Sequence, residues 1–118
     1  MITGIDHMEI VVRDIDEMAA FFGRLGFEEI RRTDHHGKAV EMRVPGPEGI
    51  IIEFHTGHAT EPPGLNHIAF RVENTQETVD EFRSVGVDLK DAHVAANSGR
   101  MISTFRDPMH VRWQLSEA

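Results

Sequence analysis

The chain has 118 residues, with 20 acidic against 12 basic side chains and a formal net charge of −8. This length favours one domain, and the acidic balance argues against a nucleic-acid or anionic-membrane surface, because both need clustered basic side chains. The absence of cysteine excludes disulfides, thiolate ligands and a cysteine nucleophile. Since the sequence shows no signal peptide and no apolar run near the roughly 20 residues that cross a bilayer, we expect a cytoplasmic protein.

An internal repeat organises the chain. Residues 4–30 align without a gap on residues 64–90 at a constant offset of 60, and this alignment places His7 on His67. A short repeat of this kind marks a supersecondary unit that cannot bury its apolar face alone. Each copy therefore contributes a histidine at the same structural point of a shared fold.

The first copy begins with a strand, because polar and apolar residues alternate over 5–12. Asp14 is placed to cap the following helix, with Glu17 completing a capping box, and Gly26 stands where the helix end requires a positive φ. The helix is followed by three strand-like segments and one turn, which are 27–33, 39–44, 49–55 and the turn 34–37.

The second copy repeats these signals. Residues 65–72 predict its first strand, Asn74 and Glu77 the start of its helix, and Gly86 the helix end. Its remaining strands are predicted at 87–91, 100–106 and 110–115. The pattern is βαβββ, twice, which predicts an α+β fold in a single domain. The predicted boundaries are 1–118 for the domain, 1–57 for module one, 64–118 for module two and 58–63 for the linker.

Alternation along the strands separates an apolar face, covered by the helix, from a polar face. Trp113 is predicted to lie on the apolar face. A sheet face studded with polar side chains is costly unless it hosts a ligand, so the functional site is expected there. The polar candidates on this face are His7, Glu9, Glu53, His55, His67, Arg71, His110, Arg112 and Gln114.

Paired βαβββ modules, each with a histidine near its start and a carboxylate or amide on its last strand, resemble the vicinal oxygen chelate superfamily. Its members include glyoxalase I, methylmalonyl-CoA epimerase, fosfomycin-resistance proteins and extradiol dioxygenases. The segments that carry the resemblance are GIDHMEIVVRDIDEMAAFFGRLGF, GLNHIAFRV and DPMHVRWQL, and the match covers essentially the whole chain. The resemblance implies a glyoxalase-type paired-sheet fold with a barrel-like cleft.

The resemblance also implies a metal site, with ligands at His7, Glu53, His67 and Gln114. Two imidazoles, a carboxylate and an amide oxygen suit one divalent ion such as Zn, Ni, Co, Mn or Fe. A small-molecule substrate with two adjacent oxygens would chelate this ion, which then favours removal of a proton next to a carbonyl. We therefore expect a glyoxalase I-like lyase or isomerase. The alternatives are a methylmalonyl-CoA epimerase-like racemase and a non-catalytic, drug-sequestering protein of the same fold.

The base is expected in module one. Glyoxalase I and the epimerase would carry glutamate at the last-strand ligand of the second module, where this chain has Gln114. Glu53 is therefore the expected proton acceptor, and Glu9, on the same face of the first strand, is the second candidate or a rim residue.

The remaining candidates are contacts of the substrate or of the rim. Arg71 and Arg112 are predicted to bind a substrate carboxylate or phosphate, or alternatively to pair with the glutamates. His55 and His110 are candidates for proton relays or rim residues. Glyoxalase-like relatives assemble across a two-fold axis, so the resemblance implies a homodimer.

Overall fold

The computed structural model describes residues 1–34, 38–57, 60–96 and 98–118, so most of the predicted turn at 34–37 and the start of the predicted linker lie outside the described residues. The helices are α1 (Ile15–Arg24) and α2 (Thr75–Ser84). The strands are β1 (Ile2–Val11), β2 (Glu28–Thr33), β3 (Ala39–Arg43), β4 (Ile51–His55), β5 (Gly64–Val72), β6 (His93–Val94), β7 (Met101–Arg106) and β8 (Arg112–Glu117). This order confirms the α+β class and the two βαβββ modules. Neither helix is long and apolar enough to cross a membrane.

The chain divides into two compact units. One comprises residues 7–66 and is called the 7–66 unit; the other comprises residues 67–118 together with residues 1–6 and is called the 67–118 unit. Most of each unit is one βαβββ module.

In the 7–66 unit the strand order is β2-β3-β4-β1, with β1 parallel to β4 and the other pairs antiparallel. The amphipathic helix α1 buries Ile15 and Ala19 against one face of this sheet. Phe54 of β4 is fully buried beneath it and stacks on Phe22, with ring centroids 5.0 Å apart. This apolar burial secures one face of the sheet and leaves the other for polar side chains.

In the 67–118 unit the order is β5-β8-β7-β6, and β5 is parallel to β8. Val79 of α2 packs on Val72 and Leu115. The first residues of β1 belong to this unit, where Asp6 accepts two hydrogen bonds from Arg100, at 2.7 and 2.9 Å.

Both helix starts are as predicted. Asp14 Oδ1 accepts a hydrogen bond from the Glu17 N–H at 3.0 Å, and Asn74 Oδ1 accepts one from the Glu77 N–H at the same distance. These side-chain acceptors satisfy backbone donors that have no partner within the helix.

The predicted strand at 87–91 is wrong. In this segment the structure has only an isolated bridge at Leu89, and β6 comes later and is two residues long. Side chains take the backbone acceptors that a ladder would use: Arg83 Nη2 donates to the Leu89 carbonyl and Ser103 Oγ to the Lys90 carbonyl, at 2.8 and 2.6 Å. Such side-chain bonds compete with sheet formation.

The predicted strand at 110–115 starts too early. His110 lies in the turn before β8, with φ +67°, in the left-handed region. Gly49, its counterpart in module one at an offset of 61, has φ +61°. The position two residues before the last strand therefore takes a left-handed conformation in both modules, with glycine in one and histidine in the other. A residue with a Cβ is strained there, by about 1–2 kcal/mol.

We expect His110→Gly to raise the thermal midpoint of unfolding, because glycine adopts this φ without strain. The gain is about 1 kcal/mol or less, since glycine also adds freedom to the unfolded chain. Gly49→Ala is the matched control and should lower the midpoint, because a Cβ there would lie 3.3 Å from Arg43 Nη1 as well as at positive φ. Thermal and urea unfolding measure both changes, and a His110→Gly protein less stable than the parent would contradict the strain argument.

Candidate functional site

Three glutamates lie side by side across the polar face of the 7–66 unit. Glu53 on β4 is in register with Glu9 on β1 and with Glu41 on β3. Residues directly opposite on neighbouring strands project from the same face of a sheet. This face is the one away from α1, because Phe54, the next residue on β4, belongs to the apolar core under the helix.

Glu53 is the buried member of this row, with 8% of its surface exposed. Burial, followed by a shared side-chain hydrogen bond with Glu9 and repulsion from that carboxylate, raises the pKa of Glu53 from its ordinary 4.5 to about 7. Repulsion from Glu41 raises the pKa further, while His7 lowers it. Glu41 is itself held by Arg31, whose Nε donates to Oε2 at 2.6 Å.

His7 completes the predicted group in this unit. It lies on β1 in register with Ile51 of β4, two residues before Glu9 and on the same face. The structure therefore places His7, Glu9 and Glu53 on one face of this sheet. Sequence reasoning missed Arg31 and Glu41, because their place beside Glu53 becomes apparent only from the register of β2, β3 and β4.

The 67–118 unit repeats this arrangement with different side chains. Gln114 on β8 is in register with Ala69 on β5, as Glu53 is with Glu9, and His67 lies two residues before Ala69. His67 and Gln114 are both buried. The Nε2 atom of His67 makes no hydrogen bond within the described residues, although His67 has interactions elsewhere.

Each unit thus holds one imidazole and one oxygen donor from its last strand on a common face. Over the described ranges, no group of three or more His, Cys, Asp or Glu side chains is placed to hold a metal ion. The chemistry of the predicted donors nevertheless fits a divalent transition metal, because imidazole, carboxylate and amide oxygen are all ligands that such ions accept.

The other candidates have mixed surroundings. Arg71 donates to Thr3, through Nε to Oγ1 at 3.3 Å and through Nη2 to the carbonyl at 3.4 Å. Arg112 begins β8, directly opposite Arg106 of β7. Sequence reasoning did not consider Arg106, although pairing the predicted strands 100–106 and 110–115 could have indicated it.

The two candidate relay histidines lie at strand ends. His55 ends β4, and its Nδ1 accepts a hydrogen bond from the Gly57 N–H at 3.2 Å. His110 lies in the turn before β8. Trp113, predicted in the core, is half-buried; it stacks on Phe70 with centroids 5.2 Å apart, and its Nε1 donates to Asp107.

The model of one protein family, described as the Glyoxalase/Bleomycin resistance protein/Dioxygenase superfamily, matches residues 4–115. The fosfomycin resistance protein FosX of Listeria monocytogenes is 28% identical over 94 residues, which cover 76% of this chain and 71% of that protein.

Two solved structures extend the comparison. Methylmalonyl-CoA epimerase from Mycobacterium tuberculosis superposes with a TM-score of 0.80 at 23% identity, over 98% of this chain and 88% of that one. The epimerase from Streptomyces coelicolor, in complex with 2-nitronate-propionyl-CoA, gives 0.81 at 20% identity, over 100% and 99%. At these identities the two structures establish a shared fold.

The raised pKa of Glu53 predicts how the stability of the metal-free protein depends on pH. Folding favours the protonated form of this carboxyl. The free energy of unfolding is therefore not reduced by Glu53 below pH 4.5, and it falls as the pH rises from 4.5 to about 7. Glu53→Gln should therefore stabilise the chelator-treated protein at pH 8 but hardly change it at pH 4.5. The exposed Glu48→Gln is the control, and urea unfolding at both pH values measures the difference. A gain from Glu53→Gln that is equal at both would show that the carboxyl is not perturbed.

Proposed function

Because this chain belongs to the glyoxalase/bleomycin resistance protein/dioxygenase superfamily, we propose that it is a divalent-metal-dependent enzyme that moves a proton on the carbon next to a carbonyl group. The observation that supports this chemistry is the buried Glu53, which shares one sheet face with His7 and Glu9. A carboxyl group in such a place is costly for folding and suited to proton transfer.

The proposed ligands are His7 and Glu53 from the 7–66 unit and His67 and Gln114 from the 67–118 unit. When bound, a divalent ion supplies Lewis-acid stabilisation to a substrate that chelates it through two adjacent oxygens. Burial of three of the four side chains, Glu53, His67 and Gln114, keeps bulk water from these donors.

Glu53 is the proposed proton acceptor. Gln114, at the matching position of the other unit, is an amide and cannot take up a proton near neutral pH. Glu9 shares a hydrogen bond with Glu53, and this contact supports a role for Glu9 in orienting that carboxyl and as the second acid or base. Arg31 has only an indirect effect on Glu53, since its ion pair is with the neighbouring Glu41.

Two reactions share this chemistry. The first is a glyoxalase I-like lyase or isomerase reaction, in which the proton moves within a thiol adduct of an α-ketoaldehyde. The second is a 2-epimerase reaction on an acyl thioester, and the likeness to methylmalonyl-CoA epimerases over almost the whole chain supports it. A screen with the glutathione hemithioacetal of methylglyoxal and with methylmalonyl-CoA separates the two. Tight binding of a small molecule without turnover would instead indicate a sequestering protein.

Metal content tests the ligand assignment. Protein purified without chelator should carry a divalent transition metal, and His7→Ala and His67→Ala should each lose most of it, because each removes a neutral imidazole donor. The exposed His93→Ala is the matched control and should keep the metal. Elemental analysis gives the result, and equal metal content in all four proteins would remove the assignment.

The same variants test the proposed homodimer. In a two-fold dimer whose sites each combine the 7–66 unit of one chain with the 67–118 unit of the other, a co-expressed mixture of His7→Ala and His67→Ala chains regains one intact ligand set. Sites completed within each chain gain nothing from mixing. Light scattering at micromolar concentration reports the assembly directly.

Glu53→Gln tests the base. The substitution keeps the shape and a ligand oxygen but removes the proton acceptor, so turnover should fall by about 10²–10⁴-fold, as for loss of a general base. Exchange of the substrate's labile proton with deuterium oxide, followed by NMR, should be lost in parallel, while much of the metal is retained. Glu48→Gln, exposed on the turn before β4, should exchange normally. If Glu53→Gln exchanges the proton at the wild-type rate, another residue is the base, and Glu9 is the next to be tested.

A further inference from the structure

The 67–118 unit contains three half-buried arginines, and they differ in their partners. Arg71 donates to Thr3, and Arg100 donates to Asp6 and to the carbonyl of Glu117. The side chain of Arg112 makes no hydrogen bond or ion pair with any residue in the described parts of the chain. The charge of Arg112 is therefore not balanced by an anionic group within the described residues, unlike that of Arg100, which pairs with Asp6.

The internal repeat shows that the fold does not require arginine at this point. The counterpart of Arg112 in module one, at an offset of 61, is Ile51. Both residues stand opposite an arginine on the neighbouring strand, Arg43 in one unit and Arg106 in the other. The strand pairing at this point is therefore the same with an apolar side chain, although the turn before it spans 44–50 in module one and the shorter 107–111 in module two.

The opposite arginines also have the same structural task. Arg43 Nη1 donates to the carbonyl of Gly49 at 3.4 Å, and Arg106 Nη1 donates to the carbonyl of His110 at 2.9 Å. Arg106 therefore has a structural role, because it closes the turn before β8. Arg112 has no such role, and the matching position of module one has no charge. The charge of Arg112 is unfavourable by itself, because like charges directly opposite on paired strands repel.

The two carboxylates nearest in sequence, those of Asp107 and Glu117, are bound elsewhere, and Glu117 Oε1 accepts a hydrogen bond from the Thr75 N–H at 2.8 Å. Asp107 Oδ1 accepts hydrogen bonds from the N–H groups of Met109 and Val111, and Oδ2 accepts one from Trp113 Nε1. These bonds, led by that of Trp113, lower the pKa of Asp107, so the carboxylate is ionised but already occupied in shaping the turn.

We propose that Arg112, supported by the positive charge of Arg106, is an anion-binding subsite that takes a carboxylate or phosphate group of the substrate. Arg112 lies two residues before Gln114 on β8 and therefore on the same sheet face. Its link to the substrate rests on the proposed function, while its anion binding does not. The planar fork of a guanidinium matches both kinds of oxyanion, which it binds through two parallel N–H···O bonds.

The test is an NMR titration of the arginine Nε–H signals in ¹⁵N-labelled full-length protein, as purified and after chelator treatment. The probes are inorganic phosphate and malonate, with chloride at the same ionic strength as the reference. The Arg112 signal, identified by its loss in Arg112→Ile, should shift with phosphate, malonate or both, and the responding probe identifies the anion class. Isoleucine is chosen because module one has it at the matching position.

Arg112→Ile should weaken binding of the responding probe by about tenfold or more, as expected for loss of a charge-assisted pair. Arg112→Lys keeps the charge without the fork and should lose part of the affinity. Arg13→Met, an exposed arginine just after β1, removes the same charge and should bind as the parent does.

Three outcomes overturn the proposal: parental affinity in Arg112→Ile, equal shifts with chloride, or loss of binding in Arg71→Met with Arg112→Ile unaffected. Anion binding is read in metal-free protein, so it is independent of metal content and proton exchange. If the metal-content and proton-exchange predictions fail while Arg112 still binds the probe, the proposed function is wrong but the anion-binding subsite stands. If metal content and proton exchange are as expected while Arg112→Ile binds the probe as the parent does, only the proposed subsite is wrong.

Discussion

Burial of one carboxyl group, that of Glu53, is the constraint on which the polar face of the 7–66 unit depends. Carboxylates are rarely buried without a partner of opposite charge, and here the two in-register neighbours are also glutamates. The unit accommodates the group by a shared hydrogen bond with Glu9 and by tying Glu41 to Arg31. The apolar core under α1 does not need this row, and the cost of burying Glu53 supports the proposal that this face has a chemical task.

The two modules reach the same geometry with different chemistry. Where one unit has Glu9 in register with Glu53, the other has Ala69 in register with Gln114. An amide is buried at lower cost than a carboxyl and needs no neighbour to share a proton, which is consistent with the alanine beside it. The repeated backbone thus supplies two equivalent donor positions, and the side chains decide that only one of them can exchange a proton.

Sequence patterns predicted the parts of the fold that depend on local physics. Strand alternation placed His7, Glu9 and Glu53 on one face, and the helix starts at Asp14 and Asn74 followed from their capping side chains. The prediction of a strand at 87–91 failed because the apolar alternation is real but the carbonyls of Leu89 and Lys90 are bound by side chains from α2 and β7. Strand register also could not be predicted from local patterns. The contact between Glu41 and Arg31 and the pairing of Arg112 with Arg106 arise only when the strands pair.

The repeat itself provides a control that a single module would lack. Backbone requirements are common to both copies, so a position where the copies share conformation but differ in side chain reports something other than folding. Gly49 and His110 share a left-handed backbone conformation, yet one copy keeps a strained side chain there. Ile51 and Arg112 share a register, yet one copy keeps a charge without a protein partner in its described surroundings. Both departures fall in module two, within five residues of Gln114, and this concentration supports the proposal that a ligand binds at the end of β8 nearest the turn.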